Sequence, residues 1–138
     1  MNNVQDLRPR SPESEKITIN LGYVDLGQIE LLVAEGFYAN RTDFIRTAIR
    51  NQVDRHSDAV RQSAARRSVE LGLRRVTRSE LESARDGGQP IDLRVLGLAC
   101  IAEDVTPELA RAAIASVSVL GALHASAAVR AAIADRLA

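Results

Sequence analysis

The chain has 138 residues, 46% of them hydrophobic and 3% aromatic, and its 18 Lys/Arg are balanced by 18 Asp/Glu for a formal net charge of zero. Such a length and apolar content suit one ordinary domain or two small ones with a buried core. The balance excludes a global basic field, and the scarcity of rings excludes a stacking platform for single-stranded nucleic acid. Cys100 is the only cysteine, which excludes an intrachain disulfide framework and suits a reducing cytoplasm.

Residues 1–15, MNNVQDLRPRSPESE, are polar, carry Pro9 and Pro12, and show no periodicity, so they read as a flexible arm. They match neither a signal peptide nor a transit peptide. No apolar run approaches the roughly 18 residues of a membrane span. The expected location is the cytoplasm, at the nucleoid, with no membrane partner.

Lys16-Ile17-Thr18-Ile19-Asn20-Leu21 alternates strictly. As a strand it presents Ile17, Ile19 and Leu21 on one face and Lys16, Thr18 and Asn20 on the other. One strand makes no sheet, and no second strand lies nearby in the sequence. The self-complementary partner is the same strand of a second copy, paired antiparallel about a two-fold axis.

Two helical patterns come next. Asp25 can cap a helix carrying Leu26, Ile29, Leu32 and Val33, with Gln28 at the capping-box position and Gly36 at the C-terminal turn. Asn40 can cap a second, with Asp43 three residues on and Phe44, Ile45, Ala48, Ile49, Gln52 and Val53 recurring at helical spacing. Neither Gly nor Pro interrupts residues 51–67, so this helix is expected to run through about Ala65. Arg55, His56, Arg61, Arg66 and Arg67 would line its solvated face.

Strand, helix, Gly-containing turn, and Asn40-Arg41-Thr42-Asp43 opening a helix with an Ile-Arg-x-Ala-Ile-Arg run at 45–50 form an ordered combination. It resembles the ribbon-helix-helix fold of CopG-like and Arc/MetJ-type repressors, over about 40 of the 138 residues. The resemblance implies an intertwined homodimer whose two-stranded ribbon enters the major groove of double-stranded DNA. Lys16, Thr18 and Asn20 would then read bases: Lys donates to guanine O6 and N7, Asn pairs with adenine N6 and N7, and Thr contacts the thymine methyl. Asn40, Arg41, Thr42 and Arg46 would contact phosphate at the start of the second helix, where the dipole and free amides favour an anion. Taken without the resemblance, Lys16, Thr18 and Asn20 read as the solvated face of an ordinary edge strand.

The second half repeats. Val69-Glu70-Leu71-Gly72-Leu73, Arg94-Val95-Leu96-Gly97-Leu98 and Ser118-Val119-Leu120-Gly121-Ala122 share a core whose Leu-Gly pairs recur after 25 and then 24 residues. Each is followed by a cap and a helical stretch: Thr77 before 78–85, Thr106 before 107–115, and Ser126 before 127–137. Such units read as consecutive parallel βα units with right-handed crossovers, or as a short solenoid. The glycines are expected to permit close packing of helix on strand. Parallel pairing in this register would set Arg75, Cys100 and His124 side by side, each four residues past its repeat's Leu.

The expected fold is therefore α+β. An arm over 1–15 precedes a ribbon-helix-helix domain over 16–67 that forms an intertwined dimer, and about three βα units over 68–138 form a small parallel sheet or short solenoid. Open edges and an uncovered face in that sheet invite oligomerisation to a tetramer or beyond. Arg75, Cys100 and His124 could border a small effector site, but Cys100 and His124 alone fall short of the usual four metal ligands and do not match the His-rich nickel-responsive members of the family. No nucleophile, base or phosphate loop emerges, so neither enzyme activity nor a cofactor is expected. The functional expectation is a sequence-specific DNA-binding transcriptional regulator, a repressor. Two other readings are an antitoxin whose C-terminal half binds a toxin, and a scaffold that polymerises through the repeats.

Overall fold

The computed structural model describes residues 14–138; all but the last two residues of the expected arm lie outside the described residues. The described chain forms two compact units, Ser14–Gln62 and Ser63–Ala138.

The first unit begins with the Lys16–Leu21 segment, which has no hydrogen-bonded strand partner among the described residues. Helix α1 (Tyr23–Ala34) comes next, with Gly22 rather than Asp25 at its N-cap. The expected cap is displaced because Leu26 N–H already reaches Gly22 O at 3.0 Å and closes the first turn earlier. Asp25 then lies in that turn, where its carboxylate meets the positive end of the helix dipole. At the other end Phe37 N–H donates to Leu32 O and Gly36 N–H to Val33 O, with Gly36 at φ 85°. This left-handed closure favours glycine.

Helix α2 (Arg41–Arg55) starts at Asn40, whose Oδ1 accepts the Asp43 N–H at 2.8 Å, while Asp43 Oδ2 accepts the Ala39 N–H at 2.9 Å. The two polar side chains satisfy amides that the helix start would otherwise leave free. Tyr38 packs edge-to-face on Phe44 at 5.0 Å, pinning the turn. The expected continuous helix to Ala65 is interrupted. His56 N–H donates to Val53 O, three residues back instead of four, and α3 (Ser57–Arg67) restarts beyond it. Without Gly or Pro in the sequence, nothing in the pattern marks this tightened turn.

The second unit is built on strands β1 (Glu70–Val76), β2 (Ile91–Ile101) and β3 (Ile114–His124), all parallel in the order β1-β2-β3. Helices α4 (Arg78–Asp86), α5 (Pro107–Ala113) and α6 (Ala127–Ala132) succeed them in turn, and a 3-10 turn spans Ala134–Arg136. Thr77, Thr106 and Ser126 each accept the N–H three residues on, as the sequence pattern requires. Two helices are shorter than expected. The run Ile114 to Val119, rich in β-branched residues, joins β3 and ends α5 at Ala113, while α6 gives way to the 3-10 turn.

Alternation along the strands separates two faces. Val76, Leu93, Val95, Ala99, Ile101 and Val117 are buried against Leu81, Leu109, Ala110, Ala113, Val129 and Ile133 from the helices and the residue after α6. The other face carries Leu71, Leu96 and Leu120 in one row and Leu73, Leu98 and Ala122 in the next. Leu71, Leu73 and Leu120 are all more than half exposed, at 65%, 53% and 53%.

Between those rows Gly72, Gly97 and Gly121 form a column with φ of 119°, 137° and 123°. A Cβ on Gly97 would collide with Gly72 O, and one on Gly121 with Gly97 O. The glycines thus relieve strand against strand, not helix against strand as the pattern suggested. The reason is the positive φ itself, which aims a side chain at the neighbouring main chain.

Candidate nucleic-acid interface

Ile29 is the buried hydrophobic residue of the first unit, whereas Ile17, Ile19, Leu21, Val24, Leu31, Phe37, Ile49 and Val53 are all at least 41% exposed. A folded unit does not leave most of its patterned apolar residues in water. The stripes of α1 and α2 and the apolar side of the Lys16–Leu21 segment thus form an unburied apolar surface of the kind that partners cover. A second copy would cover it naturally, because two-fold pairing brings each stripe against its own equivalent.

Lys16, Thr18 and Asn20 are exposed and alternate with the three apolar residues that such a contact would take in. Their donors and acceptors are free of hydrogen bonds to described residues. At the start of α2, the Asn40 carboxamide is committed to capping, and Arg41 Nη1 lies 3.7 Å from Glu30 Oε1. Both partners of that ion pair are more than half exposed, so Arg41 can exchange Glu30 for another anion at small cost. Thr42 and Arg46 are exposed, and Arg46 makes no ion pair among the described residues. The main-chain N–H groups of Arg41 and Thr42, the first two of the helix, have no partner within it.

In the second unit the register sets Arg75, Cys100 and His124 side by side on the more open sheet face. Arg75 is exposed, while Cys100 and His124 are half-buried. No group of three or more His, Cys, Asp or Glu side chains suited to a metal ion occurs among the described residues. At the opposite end of the strands a cleft of about 460 Å³ is lined by Arg67, Arg94, Ser116, Ser118 and Leu120 among others. Arg94 and Ser118 were not singled out by sequence alone. Their signal was parity, since each stands two residues before a face-lining Leu. On the helix side, Arg74 hydrogen-bonds Glu80, with Nη1 at 3.0 Å from Oε2, and this guanidinium holds the Glu80 carboxyl below its ordinary pKa. Asp135, bonded by Arg111 at 2.9 Å, is lowered in the same way. Both pairs brace the sheet unit.

The first unit thus combines an exposed segment of alternating apolar and polar residues, two helices joined by a glycine turn, and a side-chain-capped second helix. The chain matches the ribbon-helix-helix transcriptional regulator family over residues 12–130, and it belongs to that family. The match extends well past the first unit and takes in all three strands of the second. The transcriptional regulator CdrS of Halobacterium salinarum is 32% identical over 44 residues, which are 32% of this chain and 80% of that protein. That relative is too short to hold counterparts of both units. No solved structure matches the chain. The protein is accordingly a DNA-binding transcriptional regulator of a family whose members are typically dimers. Among the described residues, no helix is long and apolar enough to cross a membrane.

Proposed function

We propose that the protein is a sequence-specific repressor whose two Lys16–Leu21 segments pair as an antiparallel ribbon and read the major groove. Six side chains, Lys16, Thr18 and Asn20 from each copy, make the base contacts. The Arg41 and Thr42 amides, with the Arg41 and Arg46 guanidinium groups, hold phosphates on either side, and Asn40 sets the helix start that aims those amides. The observation that carries this reading is the exposed alternation of Ile17, Ile19 and Leu21 with three residues suited to base edges, in a unit with so little buried core.

The second unit joins dimers into a tetramer, so that neighbouring half-sites are occupied together and bind more tightly than one alone. The antitoxin reading has less support. Toxin-binding segments are often disordered until bound, whereas residues 70–133 here enclose a core of their own. The test is a reporter fused to the DNA upstream of this coding sequence, with the full chain supplied in increasing amounts. Falling transcription that returns when the upstream sequence is shuffled supports repression. Rising or unchanged transcription contradicts it.

A further inference from the structure

The leucine face of the sheet is built like the centre of an interface. Leu71, Leu96 and Leu120, then Leu73, Leu98 and Ala122, form two apolar rows. Polar residues bound them at both ends, Arg94 and Ser118 on one side and Arg75, Cys100 and His124 on the other. An apolar centre inside a polar rim is the usual anatomy of a protein contact.

The edges of the sheet are built differently. On β3, Ala138 N–H donates to Val117 O at 2.9 Å, Leu137 bridges Val117, and an Arg130 guanidinium donates to Leu123 O. On β1, the Arg75 carbonyl accepts from Arg74 at 2.5 Å. Both devices oppose strand addition, and with it head-to-tail growth.

Size then selects the partner. Three strands about 4.8 Å apart, crossed by four side-chain rows about 6.6 Å apart, make a face on the order of 300 Å². One face-to-face contact would bury about 600 Å² in total, below the roughly 1,200 Å² where specific interfaces begin. Two such contacts between the same pair of dimers reach that threshold. The area therefore favours a closed arrangement of two dimers over single links in a chain.

We propose that this leucine face is the surface through which two ribbon dimers join, each C-terminal sheet stacking on a sheet of the other dimer to close a tetramer. The proposal rests on the reading that the second unit assembles dimers, and it names the surface, the partner and the stopping point. Stacked sheets lie about 10 Å apart with their side chains interdigitated, which would remove Leu71, Leu73 and Leu120 from water together.

The test measures the mass of the full-length chain by light scattering from 1 to 100 times the concentration at which the wild type is half assembled. Leu71→Lys on β1 and Leu120→Lys on β3 are compared with wild type and with Glu82→Lys on the helix side. Both leucines are more than half exposed, and Leu120→Ser gives a second, milder variant, so circular dichroism should remain that of the wild type. The expected result is a four-chain limit for wild type and Glu82→Lys and a two-chain limit for the leucine variants. Four chains retained by Leu120→Lys but lost by Leu71→Lys would overturn the face in favour of the β1 edge. Growth of wild type past four chains would overturn the closed arrangement. A wild type that stays at two chains throughout would overturn the assembly reading itself, and the leucine surface with it.

Discussion

The two units handle the same chemical material in opposite ways. Ser63–Ala138 gathers fourteen buried apolar residues into one cluster between a sheet face and its helices. Ser14–Gln62 contributes Ile29 to the buried set and leaves Ile17, Ile19, Leu31, Phe37, Ile49 and Val53 at least half exposed. The difference comes from the direction of the chain. A strand-helix repeat returns each strand beside the last, so one copy can complete a sheet and cover it. After Lys16–Leu21 and the two helices that follow it no strand returns to pair with that segment among the described residues, and on the proposed reading a second copy finishes its core. The proposed dimer would make stability in the first unit a matter of concentration, while stability in the second is a matter of sequence.

Dilution is the strongest way to break this comparison. As the full chain is diluted through dimer dissociation, amide hydrogen exchange in α1 and α2 should become fast while the amides of Val95 to Ile101 keep their protection. Protection of α1 that ignores concentration would mean the first unit folds alone.

The glycine column sharpens the other side. Gly97→Ala combines an unfavourable φ with a collision against Gly72 O, and should cost the second unit about 3 kcal/mol or more in denaturant unfolding. Gly72→Ala, with the same kind of φ but open space around the new methyl, should cost roughly 1 to 2 kcal/mol. Equal costs would show that strand crowding plays no part. Asn40→Ala removes the acceptor for Asp43 N–H and should weaken the dimer's thermal stability by about 1 kcal/mol without altering unfolding of the sheet unit.

The smallest effect expected is one of pH. Because Arg74 lowers the folded-state pKa of Glu80 below 4.5, the pair's stabilisation is present above that value and is lost as pH falls through the folded one. Glu80→Gln should flatten the acid limb of the sheet unit's stability curve, by less than about 1 kcal/mol since both side chains are partly exposed. An unchanged acid limb would mean that the pair contributes nothing to folding.

How far these contrasts were legible in the sequence depended on whether a signal was periodic or positional. The Leu-Gly repeats at 71, 96 and 120 predicted the register but not the strand order, because identical neighbours in parallel strands align most simply when identical residues meet. Asn40, Thr77, Thr106 and Ser126 were readable as caps because their chemistry is local. The interruption at His56 was not, since it is a change of one hydrogen bond without a breaker residue. The early start of α1 was missed for a related reason: Asp25 fits a cap and a first turn equally well. Arg94 and Ser118 became candidates for the rim only when the register fixed which face they share with the leucines. For Lys16, Thr18 and Asn20 the alternation was plain, but the proposed base contacts depend on a partner strand that is absent among the described residues.

The most direct test of base reading by the ribbon is binding of the full-length protein to a duplex from its own upstream region and to a shuffled duplex, across a salt series. It is run beside a Lys16→Ala/Thr18→Ala/Asn20→Ala variant. Wild type is expected to prefer the native duplex and the variant to lose the preference. Both should keep a salt dependence from phosphate contacts, shallower in the variant by no more than the two lysines removed per dimer. A variant that retains the wild-type preference, or a wild type without any, would contradict base reading by the ribbon.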